Sequence, residues 1–171
     1  MKRLISLMVI SLTLASCNPS DSSKLEGGTS KTQTPQQAIE FTLPDLAGKP
    51  LRLSEYLAKG PVILVYFTTW CPYCKKSIPT LKQVYREYGS KGLQLVAINA
   101  GLADSLENAK RYALQHRLPY AVLYDADGNT ANLYGVSAVP LVFYIHKDGR
   151  ITHTSRHVSP QAIENLLRTQ G

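Results

Sequence analysis

Cysteine is scarce here, with three in 171 positions. They divide as Cys17 near the start and the pair Cys71 and Cys74, so the folded part of the chain has no structural disulfide framework. Long apolar runs are also missing. The longest, Leu4 to Leu14, is broken only by Ser and Thr and falls well short of the roughly 20 residues that span a bilayer. No run of basic residues exceeds two, and the basic residues are scattered despite a formal net charge of +7. Nucleic-acid binding therefore has little support. No internal repeat is visible. What remains, 44% hydrophobic and 18% charged, suits one globular domain plus non-domain sequence at an end.

That end reads as an address. Met1-Lys2-Arg3 is a positive start, the Leu4 to Leu14 stretch has the length of a secretory signal core, and Ala15-Ser16-Cys17 follows it. Small residues before a cysteine in this place resemble the lipobox of bacterial lipoproteins. The resemblance implies a signal peptide over 1–16, cut before Cys17, and acyl chains on Cys17 that anchor the protein outside the cytoplasm. An ordinary cleaved signal with an incidental cysteine is the other reading. Without Lys2 and Arg3, 17 basic face 12 acidic residues, a net +5. The next stretch, to residue 37, is rich in Ser, Thr, Gly, Gln and Pro, and reads as a flexible linker reaching about 25 Å.

The domain is expected over 38–171. Phe41-Thr42-Leu43 and Leu51-Arg52-Leu53 read as short strands around a turn-rich connection, and Ser54 to Leu57 as a brief helix with Ser54 as its cap. Val62 to Phe67 is apolar throughout and predicts a strand buried on both faces. Helical periodicity (Ile78, Leu81, Val84, Tyr85) then runs to about Tyr88, and Leu93 to Ile98 is a second buried strand. A helix follows from Asp104 to His116, capped by Asp104 or Ser105, then a strand ending at Tyr124 and a weak helix over Asn129 to Tyr134. Asp148-Gly149 between Leu141–Ile145 and Arg150–Thr154 signals a hairpin, and Ser159-Pro160 opens a last helix. The pattern is α/β with an antiparallel edge.

Between the first buried strand and its helix stands Thr68-Thr69-Trp70-Cys71-Pro72-Tyr73-Cys74. A helix N-terminus leaves N–H groups unpaired and carries about half a positive charge, which favours a thiolate. Cys74 lies one turn after Cys71, within disulfide reach. The chemistry predicted is that of a redox dithiol. Pro72 fits the first helical position, where its missing N–H costs nothing.

Trp70-Cys71-x-x-Cys74 after a buried strand, with Pro140 opening a later strand before an Asp-Gly hairpin, resembles the thioredoxin fold. The extra N-terminal strands and the helix inserted between Ile98 and Ala121 resemble the TlpA/ResA-like group. The resemblance covers roughly residues 38 to 170. It implies a central mixed sheet flanked by helices, a cis Val139-Pro140 bond and a redox-active Cys71–Cys74 disulfide with no other cofactor. It also implies a membrane-tethered thiol–disulfide reductase, acting as a monomer on protein thiols and disulfides and fed by a membrane thiol donor. Cys71 would attack, Cys74 would resolve, and the Val139 backbone would pair with an extended substrate. Trp70 and Tyr73 would border the site, although Trp70 also reads as plain core.

Two departures stand out. Ser77 occupies the position where many members carry a carboxylate, and Val65 the position of thioredoxin's buried Asp. Water, or an acid such as Glu55, would then handle the Cys74 proton. Pro72-Tyr73 is a dipeptide more usual in glutaredoxins, and its leading proline is shared with the oxidising DsbA type. Thioredoxin and DsbA potentials differ by about 150 mV, about 7 kcal/mol for two electrons, so an oxidase stays open beside the reductase. A peroxiredoxin would use Thr68 three residues before a lone peroxidatic cysteine, and a copper carrier would use the cysteines with His146, His153 or His157. The two-residue spacing between the cysteines argues for dithiol exchange over both, and no metal site is predicted.

Overall fold

The computed structural model describes residues 36–101 and 103–169. The signal segment, Cys17 and nearly all of the linker lie outside the described residues. Strand β1 (Thr42–Pro44) pairs antiparallel with β2 (Pro50–Arg52) in a sheet of their own. Helix α1 (Leu53–Leu57) follows directly. Ser54 does not cap it: Arg52 holds the cap position without a side-chain bond, and the Ser54 hydroxyl and amide bond the Glu40 carboxylate instead. An acceptor from a neighbouring segment has displaced the local cap.

The central sheet has five strands in the order β5-β4-β3-β6-β7. Strand β3 (Val62–Phe67) runs parallel to β4 (Gln94–Asn99), and β4 parallel to β5 (Ala121–Tyr124). Strand β6 (Leu141–Ile145) is antiparallel to β3, and β7 (Ile151–Ser155) closes the hairpin at the edge. All six side chains of β3 are buried. They divide by the strand's period of two: Ile63, Val65 and Phe67 enter one core, Val62, Leu64 and Tyr66 the other. At about 1.5–3 kcal/mol for each large apolar side chain withdrawn from water, β3 is the element least tolerant of truncation.

Helix α2 (Pro72–Tyr88) lays Ile78, Leu81 and Val84 on the first of these cores. Pro79 leaves the Lys75 carbonyl without its helical donor, yet the apolar stripe on either side keeps the helix seated. Helix α3 (Leu106–Gln115) contributes Tyr112 to the same core, and α5 (Pro160–Arg168) contributes Ile163 and Leu166. The opposite core collects Leu53 of α1 and Ala131 of α4 (Asn129–Leu133). The weak α4 pattern forms because Asp125, buried at the end of β5, accepts hydrogen bonds from the Thr130 and Ala131 amides at 3.2 and 2.8 Å. Burial nevertheless holds the Asp125 carboxyl above its ordinary value, against the pull of those two bonds.

The turn after β4 needs glycine. Gly101 has φ +65°, and a Cβ there would sit 2.1 Å from the Asp125 carbonyl oxygen. This tight passage after β4 brings Asp104 back over the ends of the parallel strands.

Candidate active site

Strand β3 ends at Phe67, and the chain makes one turn before α2 begins, with the Cys71 amide bonded to the Thr68 carbonyl at 3.4 Å. Cys71 is the N-cap of α2: its backbone is extended and its sulfur accepts the Cys74 amide at 3.3 Å. A cap sulfur in that place satisfies one of the helix's unpaired donors and faces the positive end of its dipole. Pro72 follows at the start of the helix. The Cys71 thiol also donates to the Val139 carbonyl at 3.5 Å, and the Val139–Pro140 bond is cis. Strand order therefore brings together the two segments that the sequence leaves 68 residues apart.

Both cysteines are free thiols and buried, Cys71 4% and Cys74 2% exposed. Burial pushes the Cys74 thiol up to about 12, helped by its hydrogen bond with Cys71 and opposed by a backbone bond at Thr68. The two sulfurs are thus unequal: one caps the helix, the other is held as a thiol beneath it. Around them Trp70 is 60% and Tyr73 68% exposed, so Trp70 borders the site and is not core.

Neither Ser77 nor Glu55 is among the groups that bear on the Cys74 thiol. The Ser77 hydroxyl donates to the Cys74 carbonyl at 2.7 Å. Glu55 lies exposed on α1, where its charge bears on Tyr56. The carboxylate that does reach the active loop is Asp104, which the sequence suggested only as a helix cap. Its oxygens accept from the Thr69 amide at 2.7 Å, the Thr69 hydroxyl at 2.8 Å, the Asn99 amide group at 2.8 Å and the Ser105 amide at 3.0 Å. Burial disfavours its charge, but these bonds outweigh burial and hold the carboxyl below its ordinary value. The helix cap itself is Ser105, whose hydroxyl accepts the Asn108 amide. Thr69 and Asn99 stand at the C-terminal ends of adjacent parallel strands, where open α/β sheets gather their functional groups. That position was the available signal for this clamp.

The histidines stand otherwise engaged or exposed. His146 contacts the Asp148 carboxylate and the Thr169 carbonyl, each at 2.8 Å. Among the described residues no group of three or more His, Cys, Asp or Glu side chains is placed to hold a metal.

Residues 34–154 match the AhpC/TSA family. A thiol–disulfide oxidoreductase ResA of Bacillus thuringiensis subsp. konkukian is 33% identical over 121 residues, 71% of this chain and 68% of that protein. The chain belongs to the AhpC/TSA family and is ResA-like. Among solved structures, one described as a DsbE thiol:disulfide interchange protein from Chlorobium tepidum aligns with TM-score 0.69 and 28% identity, covering 78% of this chain and 96% of its own. Peroxidoxin BcpB from Mycobacterium tuberculosis aligns with TM-score 0.66 and 26% identity, covering 80% and 95%. The ResA-like domain is thus a thioredoxin fold, with β1 and β2 added at its N-terminus and α3 inserted between β4 and β5.

Proposed function

We propose that this ResA-like protein is an extracytoplasmic protein-disulfide reductase, tethered to a membrane through acylated Cys17 and working as a monomer. The observation that carries the reading is the Cys71 sulfur at the head of α2, 3.5 Å from the Val139 carbonyl. A substrate strand pairing with Val139 would bring its disulfide to that sulfur, between Trp70, Tyr73 and Pro140. The Cys71 thiolate attacks one substrate sulfur, and the other leaves as a thiolate. Cys74 then attacks Cys71, releases the second substrate thiol and closes the Cys71–Cys74 disulfide. A membrane thiol donor returns the two electrons.

The chain supplied with dithiothreitol is expected to reduce insulin disulfides, and its Cys71–Cys74 potential against glutathione to lie below about −220 mV. A potential near −120 mV would overturn the reductase direction in favour of an oxidase. The likeness to a peroxidoxin makes peroxide the counter-substrate to include. Turnover of peroxide without disulfide reduction would defeat the reading.

The approach to the site is basic. Beside Pro140 a groove is lined by Tyr73, Lys76, Arg156 and His157, and on the other flank of α2 a second is lined by Lys75, Lys82, Arg86 and His116. Among the described residues no carboxylate lines either groove, and burial with the nearby Lys75 and Lys82 holds the His116 imidazole below its ordinary value. A disulfide peptide flanked by Glu is expected to be reduced several-fold faster than one flanked by Lys. The preference should fade above about 0.15 M salt, where the screening length falls to about 8 Å. Equal rates at low salt would exclude charge selection.

A further inference from the structure

The resolving thiol is the chemically difficult partner in this site. Cys74 is buried, no carboxylate among the described residues is found to act on it, and the Ser77 hydroxyl is committed to the backbone. Behind it lies a cavity of about 10 Å³, room for about one water molecule. Its walls are mostly apolar (Val65, Phe67, Ile78), and its polar lining comes from Cys74, Ser77, Tyr112 and Tyr120. Tyr112 is 7% exposed, and its ring stacks on Phe67 at 5.5 Å and meets the His116 ring edge at 4.5 Å. Packing on both sides therefore fixes the ring. Its hydroxyl is buried with no hydrogen-bond partner among the described residues. A buried hydroxyl left unpaired in the resting protein costs stability, and such a group has a use when the unpaired state is not the working one.

We infer that Tyr112 is the positioning residue for Cys74, its hydroxyl donating a hydrogen bond to the Cys74 thiolate across this cavity during the resolving step. The phenol acts as a donor and not as a base. Burial raises its ionisation above the ordinary phenol value, and the neighbouring Cys74, Cys71 and Asp104 raise it further. In the step itself the Cys74 S–H bond breaks, the Cys74 sulfur bonds to Cys71, and the bond from Cys71 to the substrate sulfur breaks. The proton that Cys74 gives up passes to the departing substrate thiolate, so Tyr112 gains and loses none. A hydrogen bond to a charged sulfur is worth roughly a tenfold or larger change in its reactivity. The inference rests on the dithiol reading above.

The test is single turnover of the full chain, carrying Cys17→Ser, with an aromatic disulfide whose released thiol is coloured. Attack by Cys71 releases the first equivalent, and resolution by Cys74 the second. In Tyr112→Phe the first phase is expected to keep its rate and the second to slow about tenfold. The second-phase rates should rise in parallel with pH in the two proteins. Thermal stability should not fall, because phenylalanine keeps the ring packing and removes the unpaired hydroxyl. An unchanged second phase overturns the inference, and so does equal slowing of both phases, which would assign Tyr112 to packing alone. If the parent protein showed neither phase, the dithiol reading would fall and this inference with it.

Discussion

Cys71→Ser is expected to bring insulin-disulfide turnover to background, a loss of at least about 10³-fold, the scale that follows removal of a covalent nucleophile. Cys74→Ser should behave differently. It retains the first attack, so it accumulates a mixed disulfide between Cys71 and the substrate that mass spectrometry can detect. The asymmetry follows from geometry. Cys71 caps α2 and reaches the Val139 carbonyl beside Pro140, whereas burial holds the Cys74 thiol near 12 and removes it from the opening attack. Undiminished turnover by Cys71→Ser would sink the assignment of this dithiol. Mixed disulfides trapped by Cys71→Ser, and none by Cys74→Ser, would reverse the two roles.

The second large effect is expected at Asp104. Its carboxylate ties the Thr69 amide and hydroxyl, the residue before Trp70-Cys71, to Asn99 at the end of β4. Asp104→Ala leaves those donors without their charged acceptor. Because the site is partly open to water, the expected loss is about 2 kcal/mol, near the low end for hydrogen bonds to a charged group. For a domain of this size that is roughly 8 °C in Tm. Disulfide reduction should fall with it, since the loop that aims Cys71 loses its anchor.

Acid should reproduce part of this in the parent. Asp104 is held below its ordinary carboxyl value in the folded protein, so it binds a proton more readily unfolded than folded. Its contribution is complete above about pH 4 and is lost as pH falls through the depressed folded value. As pH falls below about 4 the parent should therefore lose more stability than Asp104→Ala does. Parallel losses in the two proteins would show that the carboxylate does not hold the loop.

Much of this architecture is legible along the chain because its signals are local. An uninterrupted apolar run marks Val62–Phe67 as a strand buried on both faces, and the stripe Ile78, Leu81, Val84 marks α2, whose end at Tyr88 agrees with the periodicity. Asp148-Gly149 marks the β6–β7 hairpin. The spacing Cys71-Pro72-Tyr73-Cys74 after a strand is enough to predict a dithiol at a helix start, and Cys71 is indeed the cap of α2. Each of these depends on residues within one or two turns of one another.

Tertiary structure decided everything that depends on which strands are neighbours. The pairing of β3 with both β4 and β6 brings Val139 to Cys71 and Asp104 to Thr69. It also decided that Trp70 faces solvent, that Ser54 serves Glu40 and not its own helix, and that Glu55 lies exposed beside Tyr56. Tyr112 falls within the helix expected from Asp104 to His116, and only packing α3 against Phe67 set it among the walls of the cavity behind Cys74. Periodicity reports which face of an element is apolar, whereas strand order decides what that face meets. The chain by itself therefore determined the dithiol and the helix that carries it, and the sheet determined the groups that surround the two sulfurs.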